Sequence, residues 1–222
     1  MTRTQAHTHI STGIARVALA ALALAGLLAS LALASPAGAS AAGPVKFGAK
    51  LNPSVQPSNA IPGIDCRQSA YGACTMVEEE AYGRPDGGEV APKTGVITKI
   101  RVIAGEFGHF RPQVVSVQHS ASTTLSATKA KVTYTGPKLT VTGQTEANYE
   151  NDVYNVESFK VHIPIKKGQQ LAALTGRSTM LRCSSGGHNT LLFGLPPGKA
   201  GGPAVPATDA NGCWTLMEAV IR

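Results

Sequence analysis

The chain has 222 residues, with 20 Lys and Arg against 13 Asp and Glu, a formal net charge of +7 and four cysteines. A hydrophobic share of 43% with 15% charged residues excludes a disordered or collagen-like polymer and fits a globular chain able to bury a core. The basic residues are scattered, with Lys166-Lys167 the one adjacent pair, so the basic stripe interleaved with aromatics that nucleic acid requires is not expected.

The N-terminus reads as a secretory leader. Arg3 and Arg16 precede an uncharged run from Val17 to Ala34, and Ser35-Pro36 breaks it before the small residues Ala37-Gly38-Ala39-Ser40-Ala41-Ala42. A positive start, an apolar middle and a small-x-small site define such a segment. The expected cut falls before Ser40, with the one before Ala42 as second choice, so residues 1–39 are read as a signal peptide. Removing Arg3 and Arg16 leaves 18 basic against 13 acidic residues, a net charge of +5 on the mature chain. No second long apolar run follows, so no membrane span is expected after cleavage. The expected location is secreted or extracellular.

Residues 40–63 form a Pro-rich segment with one strand, in which Val45, Phe47, Ala49 and Leu51 alternate with Lys46, Gly48 and Lys50. Residues 64–222 are expected to form the domain proper. Cys74 to Tyr82 reads as extended, and Arg84-Pro85-Asp86-Gly87-Gly88 as a turn. Val96, Ile100 and Val102 share one face of a strand, opposite Lys99 and Arg101. Gln113 to His119 is the next strand, and Lys129–Thr135 with Leu139–Thr142 reads as a hairpin around Gly136-Pro137. Phe159, Val161, Ile163 and Ile165 alternate with Lys160, His162 and Pro164, and Pro164 marks an edge or a strand end. Gln170–Leu174, Thr179–Cys183, Thr190–Leu195 and Cys213–Ile221 complete about ten short strands. The expected fold is all-β, an antiparallel β-sandwich. Two loops stand out: the polar Ser184–Asn189 and the long Leu195–Gly212, which is read as draping over a sheet face or edge and as the expected place for recognition.

All four cysteines, Cys66, Cys74, Cys183 and Cys213, lie in the exported part, and an even number in an oxidising compartment reads as disulfides. Proximity in sequence favours Cys66–Cys74 and Cys183–Cys213. A zinc site needs close Cys or His pairs, and no C-x₂₋₄-C is present.

The layout resembles uncharacterised secreted β-sandwich (jelly-roll-like) domains of actinobacteria. The likeness rests on Cys66 to Cys74 opening into Thr75-Met76-Val77, on the segment from Ala91-Pro92 to Arg101-Val102, and on Val161-His162-Ile163-Pro164-Ile165-Lys166-Lys167-Gly168-Gln169-Gln170-Leu171. It covers most of residues 64–222, and it implies a fold without an activity, so no functional residue is carried over.

No G-x-S-x-G elbow and no H-E-x-x-H helix is present. His109, His119, His162 and His188 are far apart in sequence, so neither a metal nor any other cofactor is expected. Glu78-Glu79-Glu80 reads as an exposed acidic run, although Glu78, Glu80 or Asp86 are the candidates if the protein is a carboxylate-dependent glycoside hydrolase. Asp86 and Glu89 do not match a calcium loop. Trp214, His188 and Asn189 are the candidate binding residues, Trp214 as a stacking ring and the others within the polar loop. The leading expectation is a non-catalytic domain that binds a glycan or a protein of the cell envelope. The alternatives are the hydrolase and a structural envelope protein without a small ligand.

Overall fold

Where apolar residues fall at every second position, a strand buries one face, and where they run without a break, it buries two. Both patterns occur in this chain. The computed structural model describes residues 43–51, 66, 72–79, 88–119, 124–145, 154–176, 183–193 and 198–222, so the expected leader lies outside the described residues. Among the described residues, no helix is long and apolar enough to cross a membrane. Twelve strands are present among them: β1 Val45–Gly48, β2 Ala73–Glu78, β3 Gly95–Val102, β4 Gly108–Gln118, β5 Lys129–Thr135, β6 Leu139–Val141, β7 Glu157–Ile165, β8 Gln170–Gly176, β9 Cys183–Phe193, β10 Val205–Pro206, β11 Asp209–Thr215 and β12 Met217–Ile221.

All pairings among the described residues are antiparallel. A four-stranded sheet runs in the order β1-β12-β3-β7, and an eight-stranded one runs β10-β5-β4-β8-β2-β9-β11 with β6 also on β4. They pack as a β-sandwich. Phe47, Ile97, Ile100, Ile163, Ile165, Ala219 and Ile221 of the small sheet share one core with Cys74, Met76, Phe110, Val114, Val141, Leu171 and Ala173 of the large one. β1 belongs to this sandwich through its pairing with β12, so the strand of the Pro-rich segment is part of the domain. It ends at Gly48, whose φ of +80° places it against the Met217 carbonyl, where a Cβ would sit 2.5 Å from that oxygen.

The large sheet has a second buried face. Ala130 and Val132 of β5 cluster with Leu191 and Phe193 of β9, joined by Val77, Val115, Ala172 and Ala207. Four strand spacings separate β5 from β9, about 19 Å in a flat sheet, so the sheet must curl for these side chains to meet. β10 pairs with β5 and β11 with β9, with Ala207 and Thr208 between them. One extended segment therefore joins the two edges, and β5, β4, β8, β2, β9 and β10/β11 close into a narrow barrel. A barrel of six strands is filled by its own side chains. Inside it the Gln113 amide accepts from Thr75 Oγ1 at 2.8 Å and donates to Thr135 Oγ1 and to the Gly198 carbonyl, both at 3.0 Å. A buried amide with its groups satisfied stabilises this core instead of burdening it.

Three expectations about connections are corrected. First, β5 and β6 do not form a hairpin: both pair with β4, β5 along Gln113–Gln118 and β6 along Gly108–Phe110. Pro112 and Pro137 have no N–H to offer, so the ladder breaks there while the chain keeps its course. A bulge at Thr133, between the Val114↔Tyr134 and Val115↔Val132 pairs, lets Tyr134 pack on the sandwich core while Val132 faces the barrel. Second, Ser184–Asn189 is not a loop but the first half of β9. Opposite it, Asn211 pairs with Thr190 and Cys213 with Ser185, so Gly186 to Asn189 are taken up as a wide irregularity against Gly212. Third, the long loop, expected to drape over a sheet face or edge, follows an edge among its described residues and becomes strand there. The Gly201 N–H donates to the Val132 carbonyl at 3.2 Å and the Ala207 N–H to the Thr128 carbonyl at 2.9 Å, and β10 and β11 complete the barrel wall.

The disulfide Cys66–Cys74 is formed, with Cα atoms 5.4 Å apart, and Thr175 Oγ1 lies 3.0 Å from Cys66 Sγ. Cys183 and Cys213 lie on the neighbouring strands β9 and β11, where Thr215 is opposite Cys183 and Cys213 opposite Ser185. Their side chains lie outside the described residues.

Candidate functional site

The outer face of the four-stranded sheet follows from the alternation that fills the core. With Ile100 and Val102 turned inward, Lys99 and Arg101 of β3 turn outward, and with Phe159, Val161 and Ile163 inward, Ser158, Lys160 and His162 of β7 turn outward. β1 adds Lys46, and β12 adds Glu218 and Val220. The register then aligns them. Lys46 is opposite Val220, Val220 opposite Lys99, and Lys99 opposite Lys160, a row across all four strands. The next row runs Gly48, Glu218, Arg101, Ser158.

One carboxylate stands among these cations. Glu218 Oε1 holds Arg101 Nη1 at 2.7 Å and Lys46 Nζ at 3.4 Å, and its side chain is 1% exposed beneath them. Arg101 and Lys46 thus cover Glu218 and satisfy its charge, as a buried ion requires. Lys99 and Lys160 have no carboxylate beside them on this face among the described residues. They are directly opposed like charges, a cross-strand pair that costs stability on its own. Lys46, Lys99, Arg101 and Lys160 against Glu218 leave a net +3 on the described part of the face, with His162 beside it. Such a surface can hold a row of anionic groups about one strand spacing apart.

The sequence candidates fare differently. Glu78 is not part of an exposed acidic run. It is 7% exposed, because β2 lies between β8 and β9 and is covered on both faces. Burial pushes its carboxyl well above the ordinary value of 4.5, the Glu89 carboxylate adds to this, and a hydrogen bond from the Thr215 backbone opposes it. Among the described residues its Oε1 has no hydrogen-bond partner. Glu80 and Asp86 lie outside the described residues. His188 and Asn189 are on β9 and Trp214 is on β11, where it pairs with Ser184; their side chains lie outside the described residues. His109 Nδ1 is 3.0 Å from Thr140 Oγ1, His119 is exposed after β4, and His162 joins the cationic face. Among the described residues no three His, Cys, Asp or Glu side chains group as a metal site.

No family model, no curated protein and no solved structure matches this chain.

The cationic face is the feature that scanning for basic clusters misses. Lys46, Lys99, Lys160 and Arg101 come from three separate strands. The signal was present as two alternating patterns, Lys99/Arg101 and Lys160/His162, but only the pairing of β3 with β7 makes them one surface.

Proposed function

We propose that the protein is a non-catalytic binding domain that works outside the cytoplasm, and that it lays the outer face of its four-stranded sheet on an anionic polymer of the cell envelope, a glycan bearing phosphate or carboxylate groups. The observation that carries this reading is the Lys99–Lys160 opposition. Like charges held face to face store repulsion, and an anion between them turns that cost into binding energy. Export is supported by the leader pattern and agrees with a disulfide in the domain.

The test is binding of the full chain to lipoteichoic acid and to dextran sulfate across a salt series. Exchanging Lys99 and Lys160 for Gln is expected to weaken both by about tenfold, and raising salt from about 0.05 to about 0.5 M to abolish the difference, because exposed charge pairs are screened over a few ångströms there. Equal binding by the double variant at low salt sinks the reading.

A carboxylate-dependent hydrolase has one point in its favour, the raised carboxyl of Glu78 next to the charge of Glu89. The burial of Glu78 within β2 speaks for a structural role, since a general acid must reach its substrate.

A further inference from the structure

Phe107 stands 64% exposed, the one exposed large hydrophobic side chain among the described residues. It sits at the end of the connection from β3 to β4. The ring of His109, at the start of the β4 ladder, lies 5.8 Å from it at 66°, so the two planes make an angular seat. His109 is opposite Thr140 of β6, and its Nδ1 is 3.0 Å from Thr140 Oγ1. His109 alternates with Phe110, which points into the core between the sheets, so the seat is on the outside of the large sheet, away from the cationic face.

The support beneath Phe107 is rigid. Gln144 ties three chain segments: its Nε2 donates to the Ala104 carbonyl at 2.8 Å and to the Asn155 carbonyl at 3.1 Å, its Oε1 accepts from the Asn155 N–H at 2.6 Å, and its own N–H donates to the Gly105 carbonyl at 3.2 Å. The Glu157 carboxylate accepts from the N–H groups of Thr142 and Gly143 at 3.0 to 3.2 Å. Gly143, at φ +79°, lets segment 142–145 lie directly on Glu106 and Phe107, where a Cβ would come within 2.5 Å of the Glu106 carbonyl carbon. An apolar ring held out into water by this much hydrogen bonding is not a stray surface residue.

We propose that Phe107, His109 and Thr140 form a seat for a neutral pyranose ring of an oligosaccharide. A pyranose has an apolar C–H face and a rim of hydroxyls. The Phe107 ring matches the face, and the imidazole and hydroxyl beside it, with the exposed Glu106 and Thr142, match the rim. A protein or lipid partner requires a contiguous apolar area, whereas among the described residues Phe107 is the one exposed large hydrophobic side chain. The rigid support removes the ordering cost that makes weak sugar contacts weaker. This seat does not rest on the cationic face and stands on the opposite side of the sandwich.

The experiment is a titration of the isotope-labelled full chain with cellotetraose and with chitotetraose, followed by NMR. The expected result is a saturable shift of the Phe107, His109 and Thr140 signals with at least one of the two sugars. Phe107→Ala is expected to weaken it at least about fivefold and Phe107→Tyr to keep it within about twofold, since the tyrosine ring offers the same face, with the melting temperature of both variants unchanged. Absence of a saturable shift at Phe107 and His109 with either sugar overturns the proposal. So does binding that Phe107→Ala leaves intact, or shifts confined to Lys46, Lys99 and Lys160.

Discussion

Replacing Glu78 by Gln probes the least comfortable group in the core. The carboxyl is raised above its ordinary value of 4.5, chiefly by burial, and its Oε1 has no partner among the described residues. The folded protein therefore keeps a proton that the unfolded chain has already released. Stability from this group is complete below the unfolded value and is lost as pH rises toward the folded value, at up to about 1.36 kcal/mol per pH unit. Gln mimics the protonated form and does not titrate. Other groups titrate in both proteins, so the measured quantity is the difference between variant and parent. That difference is expected near zero at about pH 4, below the ordinary carboxyl value. At neutral pH the Glu78→Gln variant is expected to be the more stable of the two. The gap should widen by about 3 to 5 °C in melting temperature per pH unit, from about 2 to 4 °C per kcal/mol for a domain of this size. The assay is thermal unfolding followed by circular dichroism in steps from about pH 4 to about pH 8. A difference that stays flat between about pH 4.5 and 7 refutes the reading of Glu78 as a buried, protonated group.

Other perturbations bear on single contacts. Glu218→Ala leaves Arg101 and Lys46 without their carboxylate and is expected to cost about 2 to 4 kcal/mol in urea unfolding, while tightening polyanion binding; a neutral effect on both contradicts the ion-pair geometry. Exchanging Cys66 and Cys74 for Ser removes a short cross-link and is expected to cost about 2.5 kcal/mol, measured against the parent under non-reducing conditions. Gly143→Ala introduces a Cβ into backbone at positive φ and is expected to lower stability by about 1 to 3 kcal/mol, with the largest amide shifts at Glu106 and Phe107. Sequencing of protein recovered from the medium is expected to begin at Ser40 or Ala42, and an intact Met1 end in a membrane fraction contradicts export.

Local patterns carried the all-β class and the inward faces of β1, β3 and β7, because alternation is a property of neighbouring residues and each strand buries one side. The Cys66–Cys74 bond was legible for a similar reason, since eight residues of separation leave little choice of partner. Tertiary structure decided what depends on residues far apart. Glu78 looks like part of an acidic surface run until β8 and β9 flank β2 on both sides. The Gly-rich stretch before Thr190 looks like a turn, and becomes strand because β11 offers it a partner. Val205 to Gly212 looks like a loop, and becomes barrel wall because two sheet edges meet at it. The same holds for both surfaces argued above. Lys99 and Lys160 lie far apart in the chain and meet only through the β3–β7 register, and Thr140 comes to lie beside His109, and Gly143 against the Glu106–Phe107 backbone, only through the β4–β6 pairing and the Gln144 hydrogen bonds. Strand pairing is non-local, and its hydrogen bonds are made by backbone groups that every residue shares, so a chain read position by position shows which face a side chain takes but not which neighbour it will have.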